Sequence, residues 1–513
     1  MSAPSLRFDN VLTILPGSLR LEVRRADVLL RDGIVAAIGA PGELAGTGAG
    51  SVVDGSRLLL AAGLINGHMH SWDHYLKGCI ENVPTEESMS IIRPRKPVAL
   101  TPDQMYLRTM VGAIEALRSG TTTLVDDMSL GQQLSREHVD AALQAYEDSG
   151  IRALMGFSMI DKAVVDSYHD ADKTFPPALL AELRALPRPD GQALLDLVRS
   201  LAKTRHPASS RVGVIVAPSA PHRCTDEFLL ACRRLADELD LPAMTHCQET
   251  RLQLVTADQF YGESLVAHLD RLGFLKPRTT LIHATWLSPD DIRLIADSGA
   301  SVQYNPWSNA IMGSGLAPVR ECLQAGINVG VGTDGTGLLF GNHMISSLGF
   351  GAAVSKLRGP DMDQWLTADE MLRAATEGGA HALGLPLGRI EVGAKADLIA
   401  LNLDTTTFTP LNDAVRQLVY GEKGQSLAWV VVDGQPVLKD GKLTQVNEHR
   451  LLERAREAHE ELIGSLRSSQ ADSQPFQDAL RAIYTCSLGC SIDHSIFPAW
   501  VEGHGIPGSE ALR

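Results

Sequence analysis

The chain has 513 residues, 44% of them hydrophobic and 21% charged, with a formal net charge of −15 at pH 7. These are the proportions of a folded globular chain, and the length calls for one large domain with attachments or for two to three domains. The acidic balance and the lack of a long Lys/Arg run argue against a nucleic-acid surface. No run of about 18 apolar residues is present to span a membrane.

The N-terminus, MSAPSLRFDNVLTI, has no basic stretch leading into an apolar one, so no secretory leader is expected. The seven cysteines are scattered and odd in number. They fit reduced thiols of a cytoplasmic protein better than a disulfide framework. Cys486 and Cys490 lie close enough to share an ion, but no second pair stands nearby to complete a site.

Residues 1–60 read as short strands broken by turns, FDNVLTI, ADVLLRDG, IVAAIG and SVVDG. Residues 388–445 repeat that texture, with ADLIALNL and AWVVVDGQPVLKDGKL and their Asp-Gly hairpin signals. Neither flank suffices for a large core, so together they are expected to form one small β-sandwich domain. Between them, 61–387 alternates apolar runs with helical patterns. Strands are predicted at 63–70, 121–127, 152–159, 211–220, 241–247, 279–285, 301–306 and 328–334. Helices are predicted at 102–119, 137–149, 226–240 and 289–298. Near-continuous apolar strands separated by helices predict a (β/α)₈ TIM-like barrel, an α/β fold. The long 160–210 segment, with a helical stretch at 177–186, is expected to cover the site or to serve an oligomer contact. A charged helix at about 448–468 opens a helical C-terminal extension, 446–513. The last residues, rich in aromatics, Gly and Pro, read as an arm packing on this or a neighbouring subunit.

Functional groups of such barrels gather at the C-terminal ends of the strands. Four predicted ends carry His, Asp or Glu: His68 and His70 on the first, His246 followed by Glu249 on the fifth, His283 on the sixth and Asp334 on the eighth. Residues two apart share a strand face, so His68 and His70 can both point inward to one ion. With His246 and Asp334 they make three imidazoles and a carboxylate, a set suited to one Zn²⁺, with Fe²⁺ or Mn²⁺ as alternatives. Loop residues near these ends are candidates to touch substrate: Trp72, His74, His222, Arg251, Gln253, Asn305 and Asn309. Arg93 and Arg95, within Arg93-Pro94-Arg95-Lys96, are read as solvated charges rather than as a seat for an anionic substrate.

In order along the chain, Gly63-Leu64-Ile65-Asn66-Gly67-His68-Met69-His70, His246-Cys247-Gln248-Glu249-Thr250, His283-Ala284-Thr285-Trp286, Asn305-Pro306-Trp307-Ser308-Asn309, Gly332-Thr333-Asp334-Gly335 and Gly393-Ala394-Lys395-Ala396-Asp397 resemble the motifs of the amidohydrolase superfamily. The likeness runs from about residue 7 to about 445. It is closest to the mononuclear branch holding guanine and S-adenosylhomocysteine deaminases and the s-triazine amino- and chlorohydrolases. The fourth predicted strand has no lysine of the kind that bridges two ions in dinuclear relatives. The resemblance implies that His68, His70, His246 and Asp334 hold one ion, that Asp334 helps deprotonate the attacking water, that Glu249 protonates a ring nitrogen and serves the leaving group, and that His283 orients the water and stabilises the adduct. It also implies a small heterocyclic substrate and a homo-oligomer, dimer or higher.

Two departures bear on substrate. The run Thr336-Gly337-Leu338-Leu339-Phe340 after Gly335 is apolar where relatives are polar. The Glu87-Ser88-Met89-Ser90 neighbourhood lacks the tryptophan-leucine signature of adenosine-type deaminases. Both predict a less polar pocket and put nucleoside specificity in doubt. An aminohydrolase is the leading expectation. Its rivals are hydrolysis of another leaving group in the same site (chloride, amide, carbamate or urea) and a catalytically silent ligand-binding barrel. No strand leads into a Gly-x-Gly-x-x-Gly turn, which argues against a dinucleotide enzyme.

Overall fold

The computed structural model describes residues 5–18, 20–129, 135–188, 190–335, 341–492 and 495–497. Its centre is a (β/α)₈ barrel. Leu64–Met69, Thr121–Asp127, Arg152–Gly156 and Val212–Val214 pair in parallel as one run of neighbours, and Ala243–Cys247, Thr279–His283, Ser301–Tyr304 and Val329–Val331 as another. Parallel bridges Val216–Ala243 and Met69–Asp334 join the two runs at both edges. All eight strands are buried throughout, which is why they read as continuous apolar runs rather than as alternating ones.

Local signals fix the intervening helices. Thr101 and Gln104 form a reciprocal capping box ahead of Pro102–Arg118, whose first residue is a proline that needs no partner for an N–H. Gly150 ends Arg136–Ser149 at φ 81°, a left-handed turn that a side chain resists. Ser288 and Asp291 repeat the capping box at Pro289–Ser298, and Gly299 closes that helix.

Strands from both flanks of the chain pair into one nine-stranded sheet in which Leu58–Ala62 lies between Leu6–Leu15 and Leu398–Asn402. Its residues alternate between two cores. Leu60, Ala62, Leu398, Ala400 and Val431 join Phe8 and Val28 in a core of the sheet's own. Leu59, Ala61, Ile399, Leu401 and Val430 face the barrel's helices. The rings of Phe8 and Trp429 meet edge-on at 5.9 Å although two strands separate theirs, so the sheet curls over its own core.

Three further pieces pack together at one end of the barrel: the helix Thr85–Ile92, the 160–210 insertion with its helix Pro177–Ala185, and the helix Gln474–Leu488. Met89, Val165, Phe175, Leu180, Leu252, Phe476 and Leu480 form their shared core. The expected charged helix is present as Glu448–Asp472, and Gln474–Leu488 extends it. Most of the aromatic, Gly- and Pro-rich end lies outside the described residues. No helix among the described residues is long and apolar enough to cross a membrane.

Candidate active site

The strand ends converge as barrel geometry requires. One coordinating atom from each of His68, His70, His246 and Asp334 lies within 4.8 Å of all the others, and all four residues are buried or nearly so. The first and eighth strands set the register. Gly332 passes so close to the first strand that a Cβ there would lie 2.8 Å from the His68 carbonyl oxygen. That approach lets the Thr333 and Asp334 amides donate to the His68 carbonyl at 3.2 and 2.9 Å, which seats Asp334 beside the first-strand histidines. Asp334 and His283 both hold left-handed backbone conformations, φ 63° and 71°. Neither is glycine, so local strain of about 1–3 kcal/mol each is retained to aim these side chains.

Two of the three imidazoles have their second nitrogen tied down, while His68 Nδ1 is buried without a hydrogen-bond partner among the described residues. His70 Nδ1–H donates to the Asp127 carbonyl at 2.7 Å, and His246 Nδ1–H to the Ser219 carbonyl at 2.7 Å. Their Nε2 atoms therefore carry the free lone pairs. His68 Nε2 and His70 Nε2 both lie 3.1 Å from Asp334 Oδ1. Ser308 Oγ–H donates to the other carboxylate oxygen, Oδ2. Burial pushes His68 down to about 4 and His246 well below the ordinary imidazole value, so both are neutral donors. Burial also works against charge on His70, but the hydrogen bond and charge of Asp334, helped by Asp127, hold it up at about 10. Asp334 is kept well below the usual carboxylate range although burial opposes this, with His283 the main cause. Three imidazoles around one committed carboxylate make a donor set of the kind that can hold a divalent metal ion.

Glu249 and His283 face the same point. His283 Nε2 lies 3.7 Å from Asp334 Oδ2 and 3.8 Å from Glu249 Oε1. Asn309 Oδ1 accepts from His283 Nδ1 at 2.8 Å, and its own amide is oriented by donating to Thr285 at 3.3 Å. Glu249 Oε1 accepts from Thr85 Oγ1 at 2.7 Å, and Oε2 accepts from Gln253 Nε2 at 3.2 Å. Gln253 Oε1 accepts from the Glu249 amide at 3.0 Å, so one side chain fixes both ends of the residue.

These groups open on a cleft of about 630 Å³ walled also by Trp72, Ser88, Met89, Arg93, Ser158 and Arg223. Of the seven loop candidates from the sequence, only Trp72 is on that wall. Gln253 and Asn309 are spent on Glu249 and His283 instead, and Asn305 Nδ2 lies behind His283 at 3.5 Å from Nδ1. His74 is packed under the helix Pro102–Arg118, where a Cβ on Gly112 would come within 1.9 Å of its ring. His222 is buried away from the wall, and burial pushes its imidazole well below the ordinary value. Arg251 points at the tail, donating to the Ser487 and Cys490 carbonyls.

One other expectation needs correcting. Arg93 is not a solvated charge: it lines the cleft, while Arg95 pairs with Glu182 and Lys96 with Asp472. The described cleft mixes Trp72, Met89, Ile92 and Met312 with Thr85, Ser88, Ser158, Ser219 and Ser308. The apolar run at 336–340 lies outside the described residues. Thr85 and Arg223 went unnoticed as site residues, and neither sits in a motif that spacing alone would single out; Ser308 was seen only as part of its motif, and Arg93 was read as a solvated charge.

A model of the amidohydrolase family matches residues 59–437. A 5-methylthioadenosine/S-adenosylhomocysteine deaminase from Nitratidesulfovibrio vulgaris is 32% identical over 453 residues, covering 88% of this chain and 96% of its own. A 5'-deoxyadenosine deaminase from Methanothermobacter thermautotrophicus is 30% identical over 462 residues, covering 89% of this chain and all of its own. The crystal structure of an adenosine deaminase from Xanthomonas campestris with bound zinc superposes with a TM-score of 0.78 at 27% identity, covering 91% of this chain and 99% of its own. Both the ordered motifs and the match across the barrel lead to one statement: the chain belongs to the amidohydrolase family.

Proposed function

We propose that the protein is a metal-dependent aminohydrolase that releases ammonia from an amino-substituted nitrogen heterocycle, with His68, His70, His246 and Asp334 holding one ion, most simply Zn²⁺. The observation that carries this is the meeting of Glu249 and His283 at the open side of the four-residue donor set. A bound divalent ion supplies a water whose pKa is lowered to about 7. Asp334, braced by Ser308 and the first-strand histidines, is the first acceptor for that water's proton. Glu249, clamped by Thr85 and Gln253, hands a proton to the ring nitrogen and then serves the departing amine. His283 has Nδ1–H committed to Asn309, so Nε2 is the atom that meets the attacking oxygen and the charge developing beside it. The relatives' names support adenine nucleosides as the first scaffold to try.

The test is ammonia release from 5'-deoxyadenosine, 5'-methylthioadenosine, S-adenosylhomocysteine, guanine, cytosine, pterin and aminotriazine panels. Turnover of amides or carbamates with no ammonia from any of these overturns the assignment. Two further results are expected. The purified protein carries about one equivalent of divalent ion, which dialysis against chelator removes together with turnover, and which His246→Ala fails to retain by elemental analysis. A chain with no ion and no chelator sensitivity would be a silent binder. Asn309→Ala frees the His283 ring and lowers kcat by about 10–100-fold, read in steady-state kinetics, while ion content stays at the wild-type level. A matching loss of ion would place Asn309 among the groups that shape the metal site instead.

A further inference from the structure

The bond from Thr85 Oγ1 to Glu249 Oε1, 2.7 Å long, joins two elements far apart in the sequence. One side of it is the helix Thr85–Ile92, the other the loop that opens the helix Arg251–Tyr261. Thr85, Ser88, Met89 and Ile92 line the cleft. Their spacing puts them on one helical face, so the helix Thr85–Ile92 roofs the site. A helix of 8 residues holds itself poorly in water, and Pro84 at its N-cap gives it no side-chain bond. Its position is therefore set by what it packs against.

Three consecutive side chains at its start seat it from two sides. Thr85 donates to Glu249, and Glu86 accepts from the Thr250 hydroxyl. Glu87 meets the C-terminal helix Gln474–Leu488 instead. It is 1% exposed, its Oε2 accepts from Arg481 Nε at 2.9 Å, and its Oε1 accepts from a terminal nitrogen of Arg481 and from Gln477 Nε2 at 2.7 Å. A forked, charge-assisted contact of this kind is strong and directional. The far side of the Thr85–Glu249 bond is tied to the same C-terminal helix. Arg251, two residues after Glu249, donates to the Ser487 and Cys490 carbonyls, at the helix end whose dipole favours a cation. Met89 and Leu252 share an apolar core with Phe476 and Leu480.

From this we infer that Arg481, with Gln477, is a positioning residue for the reaction: by gripping Glu87 it keeps Thr85 on Glu249, so the aim of the proton donor depends on a helix outside the barrel. The inference deepens the aminohydrolase assignment and rests on it for the role of Glu249. An Arg481 that only offset the burial of Glu87 would affect stability and leave the chemistry alone.

The test is a set of double-variant cycles on the metal-loaded, full-length enzyme. The readouts are kcat and KM for ammonia release, ion content, thermal melting and amide hydrogen exchange over residues 85–92. Misplacing a catalytic group by about 1 Å can cost about 100-fold, so a loosened helix in Arg481→Met is expected to lower kcat about tenfold. KM moves less, the ion is retained, and exchange quickens over 85–92 while the barrel strands stay protected. Arg481→Lys keeps part of the rate, because it retains the charge but not the fork. Thr85→Val combined with Arg481→Met is no slower than Thr85→Val alone, and Glu249→Gln combined with Arg481→Met no slower than Glu249→Gln alone, since the losses pass through one contact. Losses that multiply in either double variant mark a general effect of packing and overturn the inference, as does wild-type kcat in Arg481→Met. If the protein releases no ammonia but hydrolyses amides or carbamates, the aminohydrolase reading falls and the same cycles on those substrates decide. Coupling of Arg481 to Glu249 there sustains the inference, and independence overturns it.

Discussion

Replacing Glu249 with Gln lowers kcat by about three orders of magnitude and leaves the ion content untouched. Glu249 is outside the four-residue donor set, so the ion has no need of it. The substitution keeps size and one acceptor, so the bond from Thr85 Oγ1, 2.7 Å in the native protein, can persist. What is lost is the group that hands a proton to the ring nitrogen and then serves the departing amine. KM should move little, because Glu249 is 3% exposed and already held by Thr85 and Gln253 before substrate arrives. Glu86 is a nearby carboxyl that could stand in: burial pushes it up to about 7, and the charge of Glu249 adds to that. More than a tenth of wild-type kcat in Glu249→Gln, abolished by adding Glu86→Gln, would move the proton relay to Glu86. Steady-state kinetics beside elemental analysis separates these outcomes.

Much of this arrangement was legible in the sequence because the barrel's strands are buried on both faces and its ion-binding groups stand at their ends. The predicted strand at 121–127 is observed as Thr121–Asp127, and the ends bearing His68, His70, His246, His283 and Asp334 do meet. The fourth strand shows where the pattern misleads. Its apolar run at 211–220 pairs as a ladder only over Val212–Val214. Beyond it single bridges carry the pairing on, Val216 with Ala243 and Pro218 with Met159, and at the end of the run Ser219 takes both His246 and Arg223. The second layer was misread for a different reason. Polar residues after strand ends look like substrate contacts from spacing alone, yet Gln253 turns both ends of its amide to Glu249, and Asn309 divides its own between His283 and Thr285. Arg93 was hidden among charged neighbours. Only the fold shows that Arg95 and Lys96 turn to acids on later helices while Arg93 turns inward. Thr85 was hidden by its helix, Thr85–Ile92, which buries Glu86 and Glu87 and so breaks the apolar periodicity that announces a helix.

The Gly393-Ala394-Lys395-Ala396-Asp397 motif carries no chemistry at the site, and the largest expected effect on stability lies there. Asp397 and Arg152 are each 2% exposed and meet through two bonds, Nε to Oδ2 at 2.8 Å and a terminal nitrogen to Oδ1 at 3.1 Å. Asp397 Oδ1 also accepts from the Asp433 amide at 2.7 Å, and the Asp433 carboxylate receives Arg152 at 3.2 Å and Lys395 at 3.0 Å. Arg152 opens the third barrel strand, and Asp397 and Asp433 flank strands of the nine-stranded sheet. The pair therefore pins that sheet to the end of the barrel opposite the ion. Asp397→Ala leaves a buried guanidinium without its main partner and is expected to cost about 3–5 kcal/mol in urea unfolding. The double variant Arg152→Met, Asp397→Leu removes both charges and should recover most of that loss, because an apolar pair of similar volume needs no desolvation. Ion content and kcat of the folded fraction should match wild type in both, since the strand's other end carries the site. A loss below about 1 kcal/mol in the single variant, or a double variant no more stable than the single, would mean that the neighbouring Asp433 and Lys395 hold the junction without Asp397.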